Sequence, residues 1–406
     1  MSYIVKLTTA LMEQPLAGGS KADSMAFPTA ERSVMRELFD IPRDVAYLNC
    51  AYVSPLMKAT RAAIEQGLES ECHPWILTPD DFFEPPEQLR GLFANLVACE
   101  ARDIAIVPSA SYGIASAAAN VDIGPGRTVL MLQEEYPSNV YSWRRLVEER
   151  GAALRIVERP SDGDWTAAVL ENLDDSVAVA ALAHNHWMDG ALLDLEVIGA
   201  ALRSRGAQLV VDASQSLGAL PFDVGRIRPD FLVTCGYKWM QCPYSISFLY
   251  VAPERQGGRP IEENPMNREG GRAFAKLADY TDAYGPGAIR FDVGERANFT
   301  LLPGALVALQ KLVEWTPEWI QSELRSKTAK VADAGKKLGL EVLPEEKRAG
   351  HFLGLTFPEG VPETAAARLA EQKIYVSVRG RSIRVTPHLY NDEEDLERLT
   401  DALARL

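Results

Sequence analysis

The sequence predicts an α/β protein: a large domain on a mostly parallel sheet, followed by a small C-terminal α+β domain. From about residue 86, short apolar runs alternate with helical patterns, which is the repeat of strand–helix–strand units. The strand-like runs are apolar with little interruption, as strands covered on both faces require. The length of 406 residues exceeds what one simple core organises.

The elements follow in order. Residues 87–99 have a helical pattern, the run 104–107 is the first strand of the array, and the small-residue stretch 109–120 is a helix. A strand at 128–132 and a helix at 138–150 come next, then a strand at 177–182, a helix at 195–205 and a strand at 208–212. Two more strands fall at 231–235 and 246–251. Residues 255–295 break the alternation. They are rich in Gly, Arg, Pro and Asn and read as a long excursion lining an entrance, its length hinting at a larger or polar substrate. Helices at 301–315 and 317–338 lead to a strand at 352–357, a helix at 364–372, strands at 374–378 and 382–386, and a last helix at 392–406. Asn391 is the expected N-cap of that helix, with Asp and Glu in its first turn. The division is then residues 1–44 as an N-terminal arm and small-domain segment, 45–304 as the large domain and 305–406 as the small domain. Residues 1–28, with Gly18-Gly-Ser-Lys21, read as a mobile or partner-bound arm.

Hydrophobic content of 47% and charged content of 24% are those of a soluble globular chain. A formal net charge of -14 argues against nucleic acid or any polyphosphate held through bulk charge, so an anionic substrate needs local arginines. No apolar stretch has the length of a membrane span. The start, MSYIVKLTTALMEQ, is a poor signal peptide. Five cysteines form no regular framework, and together these features predict a reduced, cytoplasmic setting.

The chemistry gathers at strand ends, where open α/β sheets bind ligands. Lys238 follows the strand at 231–235, placed so that it cannot easily reach water. Asp212 closes the strand at 208–212, and Gln215 follows it. A semi-buried amine with a strand-end carboxylate suits pyridoxal 5'-phosphate: the amine holds the aldehyde carbon and the acid keeps the ring nitrogen protonated. Ser109-Ala110-Ser111 opens a helix after a strand, where backbone N–H groups cradle phosphate. Tyr136 follows the strand at 128–132, placed to stack on a planar ring. Each residue also has a plain reading: Ser109 as a cap, Tyr136 as a loop ring with its hydroxyl in water, Asp212 as the cap of the next helix, Lys238 as a snorkelling surface lysine. Order and spacing favour the joint reading. His184-Asn-His186 lacks metal-ligand spacing, and no His-Glu-x-x-His, Gly-x-Ser-x-Gly or Walker A pattern occurs. No metal is expected.

Asp212-Ala-Ser-Gln215, Asp230 and Gly236-Tyr237-Lys238 together resemble the class V aminotransferase signature, of the fold-type I pyridoxal-phosphate group that includes cysteine desulfurases, kynureninase and isopenicillin N epimerase-like proteins. The resemblance runs from Tyr47-Leu-Asn49 to Arg384-Val-Thr-Pro-His388-Leu-Tyr-Asn391. It implies Lys238 as the Schiff-base lysine and proton shuttle, Asp212 as the partner of the ring nitrogen and Gln215 near the phenolic oxygen. It further implies Ser109, Ala110 and Ser111 at the phosphate, Tyr136 as the stacking ring, and Arg384 with Asn49 on the substrate side, Arg384 gripping the carboxylate. Gly294 and Glu295 fall where a neighbouring subunit supplies a phosphate contact, which implies a homodimer. Trp187 stands where desulfurases have Asn, its indole N–H in reach of the same oxygen. Cys235 and Tyr237 depart from the desulfurase Ser and His and resemble the kynureninase and epimerase-like branches. No Cys follows Cys242, so the desulfurase catalytic Cys has no counterpart, and Cys50 and Cys242 read as structural thiols.

The expected enzyme takes an amino acid or other carboxylate-bearing amine and moves its Cα proton through Lys238. An aminotransferase is the first reading. A C–S or Cβ lyase of the selenocysteine-lyase or sulfoxide-lyase type, or an epimerase, is the alternative. A non-catalytic binder of the cofactor, and a sugar- or nucleotide-binding α/β protein, are the readings from other classes. Trp75, Trp143, Arg290, Arg296 and Arg379 are unranked candidates for the pocket wall.

Overall fold

The computed structural model describes Ser2 and residues 34–406, so the expected arm over residues 1–28 lies, Ser2 apart, outside the described residues. The first elements are β1 (Ala46–Tyr47), α1 (Lys58–Cys72) and α2 (Glu84–Val97). Then come β2 (Ile104–Val107), α3 (Ala110–Ala118), β3 (Thr128–Leu132), α4 (Tyr141–Arg150), β4 (Ala153–Val157), α5 (Trp165–Glu171), β5 (Val177–Ala183), α6 (Leu195–Arg203), β6 (Gln208–Asp212), β7 (Phe231–Cys235) and β8 (Ser247–Val251).

These strands form one seven-stranded sheet in the order β2-β8-β7-β6-β5-β3-β4. β8 runs antiparallel to both of its neighbours, and the other pairs are parallel. The period of two along each strand sends side chains to opposite faces. Leu209 and Val211 of β6 enter one core and Val210 the other, so both faces are dry. The mostly parallel sheet covered on both faces is the expected large-domain architecture.

Residues 255–295 hold no strand and only short 3₁₀ turns. They are nonetheless anchored. The Asp292 carboxylate, fully buried, accepts from Arg90 Nη1 at 2.8 Å and from the Ile106 amide at 2.8 Å, and pairs with Arg296 at 3.3 Å. After the excursion, α7 (Leu302–Trp315) contributes Leu302, Leu306 and Leu309 to the large core, and α8 (Pro317–Lys337) follows.

The remaining elements are β9 (Leu353–Thr356), α9 (Ala365–Glu371), β10 (Ile374–Tyr375), β11 (Ser377–Arg379), β12 (Ser382–Val385) and α10 (Glu393–Leu403). β11-β12-β9 is an antiparallel sheet, and β10 pairs in parallel with β1 from the start of the chain. This is the expected α+β tail. The cap of α10 is a correction: Asp392, not Asn391, accepts the Asp395 amide at 3.2 Å. Asn391 instead takes the His388 amide at 2.9 Å and donates to Asp395 at 2.9 Å, locking the turn before the helix. β4, α1 and α5 did not show in the sequence patterns. Among the described residues, no helix is long and apolar enough to cross a membrane.

Candidate active site

Lys238 sits three residues beyond β7 and is only 5% exposed. Its Nζ lies 5.4 Å from the Tyr136 ring centroid and 5.7 Å from that of Tyr237. No carboxylate pairs with it among the described residues, so aromatic faces are what stabilise its charge. The surrounding turn is tightly held. The Gly236 amide donates to Ile246 O at 2.9 Å, and the Cys242 amide to Gly236 O at 3.0 Å. Gly218, at φ +105°, lets the segment after β6 press on this turn, since a Cβ there would meet Trp239 O at 2.5 Å.

Asp212 ends β6, and its partner across the ladder is Val233, two residues before the end of β7. It is buried, and its Oδ1 accepts the Ser214 amide at 2.9 Å. Its other oxygen has no hydrogen bond among the described residues. The Cys235 thiol feels both the acid and the amine. Burial raises its pKa most, the Lys238 charge opposes that rise and the Asp212 charge adds to it. The Cys235 amide donates to Ser214 Oγ at 3.2 Å, which couples the two strand ends. Gln215 is fixed from three sides: Nε2 donates to Ala51 O at 3.2 Å, Oε1 accepts from Trp239 at 3.2 Å, and its carbonyl accepts from His351 Nε2 at 2.7 Å. Burial lowers the His351 pKa to about 4, so its ring is neutral near pH 7.

At the start of α3, Ser109 caps the helix by accepting the Tyr112 amide at 3.1 Å. Ser111 donates to Ser138 Oγ at 2.9 Å. The Ala110 and Ser111 amides have no acceptor among the described residues, leaving a polar helix end beside Tyr136 and Ser138. Gly294 donates its amide to Glu262 at 2.8 Å within the same chain, and Glu295 is exposed. No bond ties either residue to Lys238 or Asp212 among the described residues.

Arg384, on β12, is 2% exposed. Nη1 donates to Trp187 O at 3.1 Å, Nη2 reaches Ser377 Oγ at 3.5 Å, and Nε has no partner. Ser377 in turn donates to Asn49 Oδ1 at 2.8 Å. Burial first, then the charge of Arg379, pulls the Arg384 pKa down to about 9. Trp187 bridges the two halves. Its ring meets Tyr136 edge-on at 5.5 Å, while its indole N–H is donated to Glu134 O at 2.7 Å. That N–H is thus held by a backbone carbonyl, and the Trp187 ring packs on Tyr136. Lys238, Tyr136, Trp187 and Arg384 thus form one continuous wall.

Of the unranked candidates, only Arg379 joins this wall, 5.7 Å from the Trp187 ring. Trp75 is 77% exposed, Trp143 is buried against Asn139, Arg290 reaches Gly258 O, and Arg296 belongs to Asp292. Cys50 and Cys242 are buried thiols whose pKa burial pushes up, that of Cys50 to about 12. Ser138, Ser214 and Glu135 were not anticipated. Ser138 and Ser214 are loop hydroxyls beside motif residues, and Glu135 directly precedes Tyr136, so position next to a motif was the only available signal.

The donor set fits pyridoxal phosphate. A buried amine without an acid partner suits the aldehyde. A buried carboxylate with a free oxygen suits the ring nitrogen. A helix N-terminus with two serines suits the phosphate, and Tyr136 suits the ring face.

A family model described as Aminotransferase class-V matches residues 80–399. An uncharacterised aminotransferase of Bacillus subtilis is 24% identical over 79% of this chain and 84% of the relative. A kynureninase of Deinococcus radiodurans is 28% identical over 64% of this chain and 63% of the relative. Isopenicillin N epimerase of Streptomyces clavuligerus is 24% identical over 79% of this chain and 84% of the relative. Among solved structures, the apo cysteine desulfurase of Thermococcus onnurineus NA1 superposes with a TM-score of 0.80 at 19% identity, over 95% of this chain and 99% of that one.

Proposed function

This chain belongs to the class-V aminotransferase family, a pyridoxal-phosphate-dependent enzyme family, and on that premise we propose that it is an aminotransferase for a carboxylate-bearing amine. The observation that carries the reading is the wall from Lys238 through Tyr136 and Trp187 to Arg384, in which neither cation has an acid partner among the described residues. Pyridoxal phosphate, when bound, supplies an electron sink for the carbanion left by loss of the Cα proton.

The side chains divide the work. Lys238 would hold the coenzyme, and its Nζ would take the Cα proton and return it. Asp212 keeps the proton on the ring nitrogen. The Ala110 and Ser111 amides with Ser138 would hold the phosphate, and Tyr136 would stack on the ring. Arg384 binds the substrate carboxylate, for which its unpartnered Nε and half-used Nη2 are available.

A C–S or Cβ lyase is the second reading. What favours it over a desulfurase is that no Cys follows Cys242, so a product sulfur would leave rather than transfer to an enzyme thiol. Product analysis separates the two. An aminotransferase turns over only when a second keto acid is supplied, and releases no ammonia. Ammonia and pyruvate formed without an acceptor would instead establish the lyase. Borohydride should fix the coenzyme to Lys238, detectable by mass, and failure to do so removes the whole reading. A homodimer in a reducing, cytoplasmic setting completes the proposal, the dimer resting on the family resemblance; a light-scattering mass of a single chain would contradict the dimer.

A further inference from the structure

β11 and β12 are antiparallel, with Ser377 opposite Arg384 and Arg379 opposite Ser382. Ser377 and Arg379 are two residues apart and share a face, so Arg379 and Arg384 are diagonal neighbours on the same face of the ribbon. Diagonal neighbours are about 7–8 Å apart, close enough for two long guanidinium side chains to reach one short diacid.

The loop after β5 covers this face. Arg384 donates to Trp187 O, and the Arg379 guanidinium sits over the Trp187 ring at 5.7 Å. Gly354, opposite Arg384, leaves no room for a side chain, because a Cβ there would meet Asp189 Cα at 2.9 Å. The nearby acid, Asp189, is committed to Arg159. Arg379 donates to Val378 O and forms no ion pair among the described residues. Two guanidiniums therefore share one face of the ribbon with no acid partner among the described residues, and the repulsion between them contributes to the lowered Arg384 pKa. Placing two like charges together is unfavourable unless the ligand neutralises both.

We propose that Arg379 is a second anion-binding residue beside Arg384, and that the substrate is an amino acid with an acidic side chain. The α-carboxylate pairs with the buried Arg384 and the side-chain acid with the more open Arg379. The assignment rests on the proposed amine chemistry for the identity of the reacting carbon, but the diacid preference resides in the arginine pair alone.

Calorimetric titration of the holoenzyme with unreactive acids tests it. Succinate and glutarate should bind at least tenfold more tightly than butyrate. Arg379→Gln should weaken diacid binding roughly tenfold, a value discounted for the partial exposure of that side chain, and leave butyrate unchanged. Arg379→Lys should restore part of the loss, whereas Arg384→Lys should weaken both classes. Equal binding of mono- and diacids by the wild type, or equal loss for both in Arg379→Gln, overturns the proposal. Borohydride fixation to Lys238 in each variant reads the coenzyme assignment separately, so either claim can fail without the other.

Discussion

Glu135 carries the most unusual charge environment in the site. It is 7% exposed, its Oε1 accepts the Tyr136 amide at 2.6 Å, and its Oε2 is buried without a partner. Burial, with the Asp212 charge adding, pushes its pKa from the usual 4.5 to about 8. The folded chain therefore keeps a proton that the unfolded chain has released between about pH 4.5 and 8. Stability contributed at this position falls as pH rises across that window and levels off above it. Glu135→Gln retains the shape without the charge. Its advantage in denaturation midpoint over wild type, measured without coenzyme, should grow from pH 5 to pH 8 and then stay constant. Parallel curves would show that Glu135 does not titrate there. Lys238 and Asp212 were legible in the sequence because buried charges at strand ends contradict their surroundings. Glu135, Ser138 and Ser214 were not, because a polar residue in a loop looks ordinary until tertiary packing sets it beside the candidate site.

At the level of elements, the strands were the most legible parts. β2, β3, β6 and β7 have the limits read from their apolar runs, because a strand buried on both faces admits no polar interruption. β4 escaped for the opposite reason: it is an edge strand with Arg155 half-buried and Ile156 43% exposed, so its pattern resembles a loop. The α10 cap was misplaced by one residue because Asn391 and Asp392 are both good caps and only the backbone decides between them. Asp392→Ala should cost about 1 kcal/mol in a denaturant titration. The accompanying loss of its exposed pairing with Arg43 should add little. A cost below a few tenths of a kcal/mol would mean that the helix end is held by other contacts.

Across the whole molecule, a buried acid is one of the ties of the long excursion, beside the bonds of Arg259 to Asn120 and of Gln256 to Asp103. Asp292 joins Arg90 of α2, the Ile106 amide of β2 and Arg296, three parts of the chain that share no local pattern. Asp292→Ala leaves two guanidiniums buried without their carboxylate. It should destabilise the protein by about 3–5 kcal/mol, read as a shift in unfolding midpoint. A loss under about 1 kcal/mol would show that the excursion is held elsewhere. Composition could not reveal this anchor, since Gly, Pro and Arg in a stretch look the same whether pinned or loose. The linkage of Lys238 to Arg384 through Tyr136 and Trp187 was equally hidden from periodicity. It depends on how a parallel sheet and a small antiparallel ribbon come together, and the family resemblance alone indicated it.

The residues proposed to hold the coenzyme and those proposed to hold the substrate grow from different sheets, joined where the Tyr136 and Trp187 rings touch. A slight tilt of the β11–β12 ribbon would move both guanidiniums and leave the amine and its acid where they are. Descendants of such a chain can change what they accept without relearning how to react.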